Sequence, residues 1–358
     1  MYVAWRDLRF ARGRFTLMGT VVVLITVLVG LVSALTAGLA RESTSAITDL
    51  PADHLAFSAP QPGEDVSFTG SRLDEPSWRS WAAVPGVVRA DPLAIATTRA
   101  EAGRTASVSV FGVAPGSPLA PGTSPRDGAV VLSTGAAKDL DVSAGDTVTI
   151  GGHALRVGAV GGEASYSHTP VVWATLADAA RLTGTPAGAD LAATVIALRT
   201  TGDVDLAAAD ARLGTRTVPT ADAVTAIASF TSENGSLQLM RGFLFAISAL
   251  VIGAFFTVWT IQRSADVAVL KALGASTGYL LRDALGQAVV LLALGTAAGV
   301  GITLGVGALV GDAVPVVLDA GTVLVPALVL VVLGSLGAAL AIRRITSVDP
   351  LTALGSAR

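Results

Sequence analysis

The stretch RSADVAVLKALGASTGYLLRD, residues 263–283, is polar and helix-prone, and it holds Lys271, one of only two lysines in the chain. Its meaning depends on what flanks it. The sequence is uncharged from Gly242 to Gln262 before it and from Ala284 to Gly311 after it. Two more uncharged apolar runs lie further out, Phe15–Ala40 and Ala320–Ile342. Roughly 20 apolar residues in a helix span the hydrocarbon core of a bilayer, so each run is long enough to cross one. Charges bracket all four: Arg14 and Arg41, Arg241 and Arg263, Asp283 and Asp312, Asp319 and Arg343. The quoted stretch is therefore a short polar link between two transmembrane helices.

Composition agrees. The 358 residues are 52% hydrophobic, 14% charged and 5% aromatic, with a mean hydropathy of +0.65, which is membrane-protein composition. A net charge of −3 gives no basic surface of the kind that nucleic-acid binding needs, so no nucleic-acid partner is expected. The absence of cysteine excludes disulfides, thiolate zinc sites and a cysteine nucleophile. The first apolar run ends in the small residues TAGLA before Arg41, as a cleavable signal peptide does. Its length argues for a retained anchor, because signal peptides carry apolar regions of only about 7 to 15 residues.

Lys and Arg favour the cytoplasmic side of short membrane loops. Arg6, Arg9, Arg12 and Arg14 precede the first run; Arg263, Lys271 and Arg282 lie between the second and third; Arg343, Arg344 and Arg358 follow the fourth. The expected fold class is an α-helical membrane protein with four transmembrane helices and a large α+β extracytoplasmic domain between helices 1 and 2. Residues 1–14 form a cytoplasmic amphipathic segment, 15–40 the first span and 41–238 the outer domain. The second span is 239–262, the cytoplasmic helix 263–283, the third span 284–311, a short outer loop 312–319, the fourth span 320–342 and the cytoplasmic C-terminus 343–358. The location is a bacterial cytoplasmic membrane, with both termini inside and the large domain outside.

Within the outer domain, alternating runs such as TASVSVFGV, GAVVLS, DTVTIGGHALRVGAV and TPVVWATL read as strands, the third as a hairpin about its GG pair. Two lobes are expected. APGSPLAPGTSPRDG reads as a surface loop, a subdomain junction or a disordered tip. His54, His153 and His168 lie far apart, with no H-E-x-x-H pattern, and no G-x-S-x-G turn is present, so hydrolytic chemistry has no anchor and no resident metal is expected.

In the quoted stretch, Ser264 suits an N-cap, Asp266 and Lys271 suit the two ends of the helix dipole, and Gly274 suits a stop. At about 100° per residue Val269, Leu270 and Leu273 share one arc. That arc serves equally to lie on the membrane interface or to dock on a partner.

AVLKALGAS resembles the cytoplasmic coupling segment of FtsX/MacB-like ABC transporter permeases, of the type E-I-x-x-L-K-A-L-G-A, with Leu270 through Ala275 matching contiguously. The ending RRITSVDPLTAL is similar to that family's R-R-I-x-x-x-D-P-x-x-A-L terminus, and the order of spans and outer domain agrees over most of the chain. Asp266–Val267 stands where the family has Glu-Ile. The resemblance implies that Asp266, Val269, Leu270, Lys271, Leu273 and Gly274 dock on a separate ABC ATPase. Two ATPase copies and two copies of this permease are implied per complex, with ATP and magnesium on the ATPase. The sequence is consistent with a non-enzymatic subunit: Lys138 follows GAA and Lys271 follows AVL, so neither completes a G-x-x-x-x-G-K-[ST] loop. Gly295/Gly299, Gly301/Gly305 and Gly307/Gly311 repeat at small-xxx-small spacing, within the subunit's own bundle or at a dimer seam.

Within the family, ASYSHTPVVWATL and SENGSLQLMRGFL are most similar to HrtB-type haem exporter permeases. That resemblance implies haem as a transported substrate and Tyr166, His168, Glu233 and Met240 as candidate ligands, all residue types able to reach haem iron. By spacing, Tyr166 and His168 would share a strand face, and Glu233 and Met240 a helix face. Each also has a plain reading: Tyr166 in the core, His168 bonded to a loop carbonyl, Glu233 solvated or capping, Met240 packing. Phe230 stands where haem exporters carry a further tyrosine. The mechanism implied is mechanotransmission of an apolar cargo drawn from the membrane. A lipoprotein or macrolide extrusion permease, and a scaffold regulating cell-wall hydrolases, are the alternatives.

Overall fold

A chain in lipid has no water to satisfy its peptide groups, so its apolar runs must become helices. The computed structural model describes residues 12–184, 191–262, 269–271, 273–311 and 313–346. The N-terminal segment to residue 11, residues 263–268 with Asp266, and the C-terminal motif from residue 347 lie outside the described residues. The chain divides into two compact units, one of Met1–Gly38 with Ser236–Arg358, the other of Leu39–Gly235.

Helix α1, Arg12–Thr48, runs for 37 residues, well past the end of its apolar run at Ala40. Its last turns carry Ala46 and Ile47, which with Leu50 are buried in the core of the outer domain. The domain proceeds through β1 (His54–Ser58), β2 (Leu73–Asp74), α2 (Glu75–Ala82), β3 (Val87–Glu101), β4 (Thr105–Val113), β5 (Ala129–Leu132) and α3 (Thr134–Leu140). It continues through β6 (Thr147–Ile150), β7 (His153–Val160), β8 (Ser165–Tyr166), β9 (Thr169–Thr175), α4 (Leu176–Leu182) and β10 (Ala192–Ala193). It closes with β11 (Val195–Thr200), α5 (Leu206–Leu213), β12 (Thr215–Pro219) and a 3₁₀ turn, Ala223–Ala226. Side chains before the first turn start the short helices: Asp74, Ser133, Thr175 and Asp205 accept from the backbone N–H of Ser77, Ala136, Asp178 and Ala208.

The main sheet follows the order β12-β1-β11-β3-β4-β9-β5-β7-β6, with β8 beside β9. Strand β6 also returns to β3 (Ala100↔Ile150, Glu101↔Thr149), so the strands from β3 to β6 close on themselves. Val108, Val130, Leu132, Val148, Val157 and Val172 form the core of this closed part. A second core gathers Leu55, Phe57, Leu93, Phe111 and Trp173 with the end of α1, and a third sets Trp81, Ile196 and Leu198 with α2 and α5. The two expected lobes therefore share one sheet, threaded by the 15-residue β3, which pairs β11 through its first half and β4 and β6 through its second. Gly151 and Gly152, with φ of +53° and +83°, make the tight turn of the β6–β7 hairpin. A side chain at Gly151 would meet the Leu182 carbonyl at 2.2 Å. The loop after β4 is pinned rather than a free tip: Leu119 and Ala120 are buried, and Ser117 Oγ donates to Asp91 Oδ1 at 3.1 Å.

The remaining long helices are α6 (Ala228–Gln262), α7 (Thr277–Val310) and α8 (Ala320–Thr346). With α1 they make four helices long and apolar enough to cross a membrane. Met18 and Val22 of α1, Ile252, Phe256 and Trp259 of α6, Ala288 and Leu292 of α7, and Ala338 of α8 meet in one buried cluster. Glycines set how closely the helices approach. A Cβ on Gly299 would lie 2.5 Å from Thr26, one on Gly295 2.9 Å from Val22, and one on Gly337 3.3 Å from the backbone of Gly253. The buried hydroxyls of Thr26 and Thr303 donate back along their own helices, to Val22 O and Gly299 O, so these two add no unsatisfied polar group in lipid.

Candidate functional site

Tyr166 and Thr169 pair directly across the β8–β9 hairpin, leaving Ser167 and His168 as its two-residue turn. Both have positive φ, 49° and 62°, the mirror-image turn that Gly and Asn normally supply. Non-glycine residues in this region cost on the order of 1–2 kcal/mol each, so surrounding contacts must hold them there. Ser167 N donates to Ser43 O at 2.9 Å and His168 N to Glu42 O at 3.3 Å. Ser165 N donates to Ser45 Oγ at 2.9 Å, and the Ser167 and Ser229 hydroxyls bond at 2.7 Å. The turn is thus fastened to the end of α1 and to the start of α6.

The His168 ring lies between two carboxylates. Its Nε2 is 2.7 Å from Glu233 Oε2, and its Nδ1 is 3.8 Å from Glu42 Oε2. With Glu233 ionised, Nε2 carries the proton that makes this bond. All three side chains are partly exposed, at 31% for His168, 36% for Glu233 and 46% for Glu42. Screening by water keeps the pairwise energy modest, so the arrangement serves to position the turn more than to stabilise the domain.

Of the four candidate ligands, the structure brings His168 and Glu233 into contact. Tyr166 goes the other way. Its ring is buried edge-on to Phe68 and Phe111, each centroid 5.7 Å away, and burial pushes its hydroxyl pKa upward. The expectation that Tyr166 and His168 share a strand face fails because the chain turns between them: alternation of faces holds only along extended backbone. Met240 follows Glu233 by two turns on α6 and is 58% exposed. Glu42, Ser43 and Ser229 were not legible as partners of the hairpin, since nothing in local spacing links a residue just past the first span to a turn in the outer domain.

At the other docking candidate, Val269, Leu270 and Lys271 are helical. Gly274 ends that helix at φ +94°, with Gly274 N donating to Lys271 O at 2.9 Å and Ala275 N to Leu270 O at 3.0 Å, a Schellman stop. Ser276 then caps α7 through Tyr279 N. Leu273 is 79% exposed and Val269 57%, so the apolar arc has little cover within this chain.

Four long apolar helices, with an α+β domain between the first and second and a helical turn stopped at Gly274 between the second and third, define a multi-pass membrane protein with an extracellular domain. Residues 15–216 match the MacB-like periplasmic core domain, and residues 239–350 match the FtsX-like permease C-terminal. The chain belongs to this family and is an ABC transporter permease of the FtsX/MacB type. It is 26% identical to a protein of Staphylococcus haemolyticus named as a hemin transport system permease protein, HrtB, over 99% of both chains. It is 23% identical to a protein of the same name from Staphylococcus epidermidis, and 27% identical to an uncharacterised ABC transporter permease of Mycobacterium tuberculosis, again over 99% of each chain. Among solved structures it is similar to the extracellular domain of the noncanonic ABC-type transporter YknZ from Gram-positive bacteria, at 16% identity and a TM-score of 0.35, covering 47% of this chain and 98% of that one. It is also similar to the periplasmic region of MacB from Actinobacillus actinomycetemcomitans, at 13% identity and a TM-score of 0.36, covering 53% and 97%. As a permease of an ABC transporter, it works with an ATPase partner.

Proposed function

We propose that this permease exports haem, or a similar amphipathic molecule, from the membrane. Two copies act with two ATPase subunits, and ATP and magnesium are bound on those subunits. The helix around Val269–Gly274 takes up the motion of the ATPase, and the long helices α1 and α6 relay it to the outer domain without a wide aqueous channel. Both termini and the 263–283 segment face the cytoplasm, and the outward surfaces of the four helices contact lipid.

The observation that carries this reading is the end-to-end similarity to permeases named for hemin transport, over 99% of both chains. The chemistry of the hairpin is in keeping with it, since an imidazole is a common haem-iron ligand. His168 and Glu233 bond to each other here, so iron binding at either would require that 2.7 Å contact to open. The cargo would then compete with a contact that fastens the hairpin to α6.

Haem titration of the purified full-length protein tests the reading. A saturable shift of the Soret band is expected, weakened by Glu233→Ala and by Met240→Ala. No Soret change in the wild-type protein would remove haem as the cargo.

A further inference from the structure

A cavity of about 330 Å³ opens on the outer domain beside the Arg126–Ala129 turn, at the lower end of the size of small-molecule sites. Two charged residues line it, Arg126 and Arg156, and no acidic side chain does. Backbone register explains their convergence. Arg126 pairs with Ala129, Ala129 with Arg156, and Arg156 with Thr147, in one row across neighbouring strands. Residues opposed in a row point to the same face of the sheet. The two arginines therefore flank the methyl group of Ala129, their Cα atoms about 10 Å apart by strand spacing. The alanine leaves the space between the guanidinium groups open.

Neither arginine has an ion-pair partner among the described residues, and the nearby acids are committed elsewhere. Asp127 accepts from Thr175 Oγ1, Asp146 from Ser143 N, and Asp178 from Gly128 N and from Arg181. The hydroxyl-bearing Thr123 and Ser124 complete the rim of the cavity. Guanidinium groups match phosphate oxygens in bidentate fashion, and two of them on one cavity with hydroxyl donors at its edge are suited to one compact anion.

We propose that this cavity is a binding site for a phosphate group. The group belongs either to free phosphate or to an organic phosphate such as a glycerophosphate headgroup. The site is independent of the haem reading and of the His168 hairpin.

Binding of inorganic phosphate and of glycerol 3-phosphate to the full-length protein in neutral detergent, measured calorimetrically in a phosphate-free buffer, tests the assignment. One saturable site per chain is expected. Arg126→Gln or Arg156→Gln should weaken it at least about tenfold, the scale of losing a hydrogen bond to a charged group, and the double variant should abolish it. Ala129→Glu leaves both arginines in place but sets a carboxylate between them, and should abolish binding as well. Tighter binding of glycerol 3-phosphate assigns the site to an organic phosphate, and tighter binding of inorganic phosphate to the free anion. Absence of saturable binding by both probes, or binding unchanged in the double variant, would overturn the proposal.

Discussion

Tyr166 and His168 show what two residues of the same motif can and cannot share. In ASYSHTPVVWATL, the alternation that predicts a strand is real for TPVVWAT, which is β9. It does not extend back through Ser167 and His168, because a two-residue turn with positive φ reverses the chain there. Neither residue is a glycine or an asparagine, so the usual signal for such a turn is missing from the sequence. Tyr166 is consequently a core residue, stacked edge-on with Phe68 and Phe111. Its ring supplies the packing, and no hydrogen bond is recorded for its hydroxyl among the described residues. Tyr166→Phe is expected to change stability by less than about 1 kcal/mol and to leave any haem response unchanged. Thermal melting and Soret titration of that variant check both halves. A lost Soret response with normal melting would return Tyr166 to the ligand set. The carboxylate facing His168 Nδ1, Glu42, comes from a distant part of the chain and was invisible to spacing.

At the level of helices, the small-xxx-small pairs of α7 separate into two classes. The sequence displays the repeat but not the partner. In the structure Gly295 and Gly299 abut Val22 and Thr26 of α1, whereas a Cβ on Gly301 or Gly305 would meet nothing within 4 Å. The first pair is therefore part of this chain's own bundle. In lipid, helices hold together by close packing rather than by exclusion of water, so lost contact between α1 and α7 has no hydrophobic compensation. Gly299→Val would force the Thr26 side chain and the Val23 carbonyl, at 2.5 and 3.0 Å, to move apart. It is expected to cost about 1–3 kcal/mol, the range for overpacking. Gly301→Val should cost little within the subunit. Detergent thermostability of the two variants, compared side by side, checks the distinction; equal losses would mean that the α1–α7 approach is not set by Gly299.

In chain order the α+β domain falls between the first two long helices and a short helical turn between the second and third, and the stop of that turn at Gly274 was the part most readable from sequence. Lys271, Leu273 and Gly274 sit between two apolar runs, and the glycine stop is realised by the hydrogen bonds of a Schellman motif. The order of the sheet, by contrast, depends on pairings such as β3 with β6 and β4 with β9, whose partners are distant in the chain, so local patterning showed the strands without showing their neighbours. What periodicity left open is whether the apolar arc rests on lipid or on protein. A helix lying on lipid would suffer most from a buried charge and would lose membrane association locally, with no effect on a soluble partner. A helix docked in a cleft of the ATPase would lose the complex instead. Leu270 is the more covered of the arc's leucines, at 36% exposure against 79% for Leu273. Desolvating an unpaired carboxylate at such a contact costs several kcal/mol, enough to reduce a micromolar complex to an undetectable one. Leu270→Asp is therefore expected to abolish co-purification with the ATPase while the protein still inserts in the membrane, and Leu273→Asp to do the same. Retention of the complex in both variants would place the arc on lipid and leave the relay of motion from the ATPase without its point of attachment.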